Sequence, residues 1–128
     1  MAQRQKSATT IAVGGGKGGV GKSVVAIALA TEWARRGRRV VLADLDLGAA
    51  NLHSYLGIHH TTPTLARFLR RETDMLDGLL VETGQSGLQL LRGADDVPGL
   101  ANPQHWMKLK LLRHIRAIDA DVVLLDLG

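Results

Sequence analysis

Four short strand-like runs, ATTIAV (residues 8–13), RVVLADL (39–45), LQLLRG (88–93) and DVVLLDL (121–127), are separated by segments with helix signals. A strand that is apolar on both sides must be covered on both sides, and helices alternating with the strands of a parallel sheet provide that cover. The pattern predicts an α/β domain: a mostly parallel sheet with helices on both faces and right-handed crossovers. The expected helices run from Ser23 to Arg36 with Gly37 as a C-terminal stop, from Thr62-Pro63 through TLARFLRR, and from Asn102-Pro103 to about Ile118. A shorter helical piece is expected from Asp74 to Leu80. On the last long helix, a core face at Leu111 puts Met107, Ile115 and Ile118 beside it. Trp106 and Leu109 then fall among Arg113 and Arg116, either under further chain or as a partner surface.

At 128 residues, 45% of them hydrophobic and 22% charged, the chain has the material for a single core. Its four aromatics, Trp33, Tyr55, Phe68 and Trp106, leave that core to aliphatic side chains. Without cysteine there is no disulfide framework, no thiolate metal site and no thiol nucleophile. The basic start MAQRQKSATT leads into only three apolar residues before glycine, too few for a signal peptide or a membrane span, so a cytoplasmic protein is expected. The net charge of +4 is spread as Arg35, Arg36, Arg38, Arg39, then Arg67, Arg70, Arg71, then Lys108, Lys110, Arg113, Arg116. Cations at helix ends suit the helix dipole, and this dispersal argues against a nucleic-acid patch.

Between the first strand and the first helix lies VGGGKGGVGKS, residues 13–23. Gly16-Lys17-Gly18-Gly19-Val20-Gly21-Lys22-Ser23 fits G-x-x-x-x-G-K-[ST], in which glycines let backbone N–H groups turn toward phosphates. Lys22 then reaches the β and γ oxygens, Ser23 binds Mg²⁺, and the helix N-terminus adds its positive end. A weaker dinucleotide fingerprint, Gly14-x-Gly16-x-x-Gly19 with Asp44 downstream, overlaps it. A dinucleotide site has no use for the Lys22-Ser23 pair or for a second strand-end carboxylate, so the phosphate-binding loop is the stronger reading. Asp44 has two readings, a direct role in the site or a strand-end residue bonded to loop amides. His53, His59 and His60 lack a carboxylate or thiol at ligand spacing and read as loop residues.

KGGVGKS, with a lysine just after the first loop glycine, resembles the deviant Walker A signature of the MinD/ParA superfamily of ATPases. DLDLGAANLHSYLG (44–57) resembles switch I of the MinD/FlhG (FleN) branch, and VVLLDLG (122–128) resembles the Walker B strand. TLARFLRR and GLQLLRGA resemble further segments of FlhG-like proteins. In that family the Walker B strand lies near mid-domain, so the resemblance implies that residues 1–128 are the N-terminal portion of one nucleotide-binding domain. A central strand at the end of the chain would lose covering neighbours, which predicts marginal stability and weak activity for this stretch alone.

The resemblance also implies roles. ATP is held by Gly16, Lys17, Gly18, Gly19, Val20, Gly21, Lys22 and Ser23; Mg²⁺ by Ser23, Asp46 and Asp126; and Asn51 positions the attacking water. The cofactors implied are ATP and Mg²⁺. Lys17 needs a separate account, because a second cation beside Lys22 would repel it unless it pointed elsewhere. By resemblance it reaches into the nucleotide of a second copy in an ATP-dependent homodimer, making Lys17, Asp46 and Asn51 the catalytic set. The function implied is an ATP-hydrolysing switch that regulates flagellar placement or cell division, with a protein regulator and a membrane surface as partners at the inner face of the cell membrane. Two alternatives are an Mrp-type iron–sulfur cluster carrier and a ParA-type DNA partition ATPase; the switch I segment, Asp46-Leu47-Gly48-Ala49-Ala50-Asn51, lacks the D-P-Q-G-N wording usual in the latter.

Overall fold

The computed structural model describes residues 7–14, 20–46, 51–59, 62–94 and 105–127. Its strands are β1 (Thr9–Val13), β2 (Val40–Asp44), β3 (Leu80–Glu82), β4 (Leu88–Leu91) and β5 (Val122–Asp126). They form a sheet in the order β1-β5-β2-β4-β3, parallel except for β3, which runs antiparallel to β4 at one edge. The helices are α1 (Val20–Arg35), α2 (Leu52–Tyr55), α3 (Ala66–Leu69) and α4 (His105–Arg116).

Strand alternation divides the core in two. Val41, Ala43, Leu91, Val123 and Leu125 face Leu65, Phe68 and Leu69 at α3, Leu111 and Ile115 from α4, and Ile118 just beyond it. Val40, Leu42, Leu88, Leu90 and Leu124 face α1 and Leu52. Helices thus lie on both faces, as the apolar runs require. Ala26, Ala30 and Ala34, spaced by four, form the buried stripe of α1, and their small size lets the helix lie close on the sheet. Gly37 ends α1 at φ +86°, where its N–H bonds Ala34 O and the next N–H bonds Trp33 O, the paired bonds that close a helix C-terminus.

Several boundaries differ from the sequence expectations. α1 begins at Val20, not Ser23, so Gly21 lies inside a helix where glycine is ordinarily unfavourable. The helix expected from Thr62-Pro63 is reduced to Ala66–Leu69: Arg71 takes φ +61°, and Arg71 and Glu72 N–H bond Phe68 O and Arg67 O, terminating the helix without glycine. The piece expected over Asp74–Leu80 is a 3₁₀ turn at Asp77–Leu79 leading into β3. Leu76, Leu79 and Leu80 have helical spacing, but Leu80–Glu82 pairs with β4 across a turn that Thr83 Oγ1 braces by accepting the Gln85 N–H at 3.2 Å. α2 was not anticipated, and α4 ends at Arg116 rather than Ile118, its start at Asn102-Pro103 lying outside the described residues. The last strand is not left uncovered: β5 is buried throughout and paired on both sides, while β1 forms the outer edge among the described residues, with Thr9, Ile11 and Ala12 exposed.

Candidate nucleotide and magnesium site

The parallel register sets Val13, Asp126 and Asp44 in one row at the carboxyl ends of β1, β5 and β2. Backbone bonds hold the exits from this row, Leu127 N–H to Val13 O at 2.9 Å and Leu45 N–H to Asp126 O at 2.8 Å. The glycine run leaves β1 here and α1 starts at its end, putting Gly21, Lys22 and Ser23 in the first helical turn. The N–H groups of that turn have no intrahelical acceptors, and the helix dipole makes the end electropositive. Gly16, Lys17, Gly18, Gly19 and the side chain of Val20 lie outside the described residues.

Ser23 Oγ donates a hydrogen bond to Asp126 Oδ2 at 3.1 Å. Residues 103 positions apart in sequence, one in the first turn of α1 and the other at the end of β5, are thereby joined at one point. Asp126 is 2% exposed and its strand neighbour Asp44 is 1% exposed. Burial raises the Asp44 carboxyl to about 6, opposed by hydrogen bonds from the backbone of Leu52 and Asp46, with the negative charges of Asp126 and Asp46 adding to the rise.

Of the two readings of Asp44, the structure carries the second: Oδ2 accepts the Leu52 N–H at 3.0 Å and Oδ1 accepts the Asp46 N–H at 3.3 Å. One carboxylate therefore fixes the chain on both sides of residues 47–50. Asp46 and Asn51 are anchored on those two sides, Asp46 half-buried and Asn51 exposed at the N-cap of α2 with no capping bond from its side chain. Ser23 and Asp126 are brought into contact, and Asp46 is tied by its N–H to Asp44, the strand neighbour of Asp126. Among the described residues no three His, Cys, Asp or Glu side chains stand together as a metal-binding group.

A hydroxyl beside a buried carboxylate is nevertheless a fitting donor set for Mg²⁺, which takes hard oxygen ligands, keeps several waters and is completed by substrate phosphates rather than by a protein cage. Two buried carboxylates in adjacent strands, one with its ionisation opposed, also favour a cation nearby.

Two site neighbours escaped sequence reading. His53, expected in a loop, lies on α2, and its Nε2 is 3.3 Å from Nη2 of Arg92, which is buried just beyond β4. The only signal was a cation directly after an apolar strand, in LQLLRG. His59 is exposed, and His60 lies outside the described residues. Trp106 and Leu109 do lie outward on α4, 44% and 55% exposed, with the Arg71 guanidinium 5.0 Å from the centre of the Trp106 ring.

A glycine-rich turn from β1 into α1, with a first-turn serine bonded to an acid at the end of a parallel strand, defines a P-loop nucleotide-binding domain. The sequence profile of the CobQ/CobB/MinD/ParA nucleotide binding domain matches residues 11–125, and the chain belongs to that family. The antiactivator FleN of Pseudomonas aeruginosa is 40% identical over 112 residues, covering 86% of this chain and 36% of FleN. The cell division ATPase MinD of Pyrococcus furiosus superimposes with a TM-score of 0.78 at 31% identity, over 92% of this chain and 49% of MinD. The septum site-determining protein MinD of Pyrococcus horikoshii, complexed with Mg-ADP, gives 0.78 at 30% identity, over 93% and 48%. The chain thus spans about half the length of these MinD structures and about a third of FleN.

Proposed function

We propose that this chain is the ATP-binding portion of an ATP-hydrolysing dimeric switch that regulates flagellar placement or number, or cell division. The observation that carries the reading is the 3.1 Å bond between Ser23 and Asp126, which unites the end of the phosphate loop with a buried strand-end acid. Similarity to FleN and to MinD, one of them complexed with Mg-ADP, supports the nucleotide and the regulatory class.

In this account Gly16, Gly18, Gly19, Val20 and Gly21 present backbone N–H groups to the phosphates, and Lys22 neutralises the β and γ oxygens. Ser23, Asp46 and Asp126 would hold Mg²⁺, which supplies positive charge against the triphosphate. Asn51 orients the attacking water, while Asp44 keeps Asp46 and Asn51 in register by binding backbone on either side of the intervening turn. Lys17 acts on the nucleotide of the second copy, as a cation supplied in trans. Such a switch works in the cytoplasm and at the inner face of the cell membrane, reading out ATP through a protein regulator.

Measuring ATP turnover and ATP-dependent dimerisation of Lys17→Ala and Lys22→Ala in the full chain tests this reading. Lys17→Ala is expected to abolish turnover and weaken the dimer while each monomer still binds ATP, whereas Lys22→Ala weakens binding itself. Near-normal turnover and dimerisation of Lys17→Ala would overturn it.

A further inference from the structure

Arg92 is 5% exposed at the carboxyl end of β4, and it bonds the chain from α2 to α3 at three points. Its backbone oxygen accepts the Leu65 N–H at 2.8 Å, its Nη1 donates to Thr62 O at 3.1 Å, and its Nη2 is 3.3 Å from His53 Nε2. A guanidinium can only donate, so Nε2 is the acceptor in this contact. All three partners belong to one stretch. Leu52 of α2 packs with the α1 stripe in one core cluster and Leu65, at the start of α3, is buried in the other, and Arg92 at the end of β4 bonds residues of the stretch that joins them.

α2 is also attached at its start, by the buried Leu52 side chain in the core and by the bond from the Leu52 N–H to Asp44. A four-residue helix has no stability of its own in water, so its position is set by what it is tied to. Asn51 is its N-cap, and the Asp46 N–H shares the Asp44 carboxylate with Leu52. The placement of Asn51 therefore depends on Asp44 before α2 and on Arg92 within and beyond it.

We infer that Arg92 is a positioning residue for nucleotide hydrolysis, holding Asn51 in its reactive place through His53. The inference rests on the proposed ATPase function. Its bonds to His53, Thr62 and Leu65 all lie on the chain that follows Asn51, so its loss acts on turnover and not on nucleotide affinity. Displacing a positioning group by about 1 Å costs up to roughly 100-fold in rate.

The test measures kcat, ATP affinity and amide hydrogen exchange in the full chain for Arg92→Met, His53→Leu, His53→Gln and the Arg92→Met/His53→Leu double variant. Arg92→Met and His53→Leu should each lower kcat by about 10-fold or more with ATP affinity within about 2-fold, and the double variant should be no worse than Arg92→Met, since one linkage is lost only once. His53→Gln, whose amide oxygen can still accept from the guanidinium, should keep most of the activity. Amides 54–58 should exchange at least about 10-fold faster in Arg92→Met while those of residues 26–34 do not change, a local loosening that general destabilisation would not give. Wild-type turnover together with unchanged kcat and unchanged exchange in Arg92→Met would overturn the inference. Absence of ATP turnover by the wild type would overturn the function on which it rests.

Discussion

The Asp44 carboxylate accepts the Leu52 backbone N–H at 3.0 Å, so the end of a central strand holds the start of α2. The same carboxylate receives the Asp46 N–H at 3.3 Å. These bonds favour the ionised carboxylate, yet burial outweighs them and raises the group from 3.8 to about 6.

That balance sets a pH dependence. The folded state binds the Asp44 proton more tightly than the unfolded state, so the contribution of Asp44 is fully present below about pH 4 and is lost as pH rises to about 6. The shift of roughly two units corresponds to about 3 kcal/mol. Denaturant unfolding of the metal-free, nucleotide-free protein should show wild type losing stability relative to Asp44→Asn by that order between pH 4 and 7, then running parallel to it. A constant difference across that range would contradict the burial account of Asp44.

Gly37→Ala should cost about 1 kcal/mol by thermal unfolding, because the residue sits at φ +86° in the left-handed region. An added Cβ would meet nothing within 4 Å there, so the whole effect is backbone conformation. A neutral outcome would mean that the end of α1 rearranges without loss.

Leu124→Ala should cost about 2–5 kcal/mol, because Leu124 is fully buried in β5, between β1 and β2, facing α1. Val24→Ala, on the exposed side of α1, should stay within about 0.5 kcal/mol. Equal losses in the same unfolding assay would place the core elsewhere than the sheet's α1 face.

The sheet and its P-loop were legible because both are written in contiguous residues. Continuous apolar runs such as VVLLD specify a doubly covered strand, and G-K-S after such a run specifies a phosphate loop. The meeting of Ser23 with Asp126 followed from placing the segment between β1 and α1, and Asp126, at the carboxyl ends of neighbouring parallel strands. What escaped was decided by tertiary contact. α2 is too short to carry a period, and α3 stops early because Arg71 adopts a conformation usually left to glycine. β3 borrows a helical spacing of leucines but is fixed by its partner strand. Arg92 carries no periodic or motif signal, and its burial follows from bonds to residues 30 and 39 positions away in sequence.

The central claim is that α1, Ser23 and Asp126 form one site for Mg²⁺ and a nucleoside triphosphate. Calorimetric titration of the full chain with ATP, in the presence and absence of Mg²⁺, tests it most directly in wild type and Asp126→Asn. Wild type should bind ATP with affinity tightened about 10-fold or more by Mg²⁺, equivalent to about 1.4 kcal/mol, and Asp126→Asn should lose most of that gain while its Mg²⁺-free affinity changes little. Failure of wild type to bind ATP, or an undiminished Mg²⁺ effect in Asp126→Asn, would contradict the site.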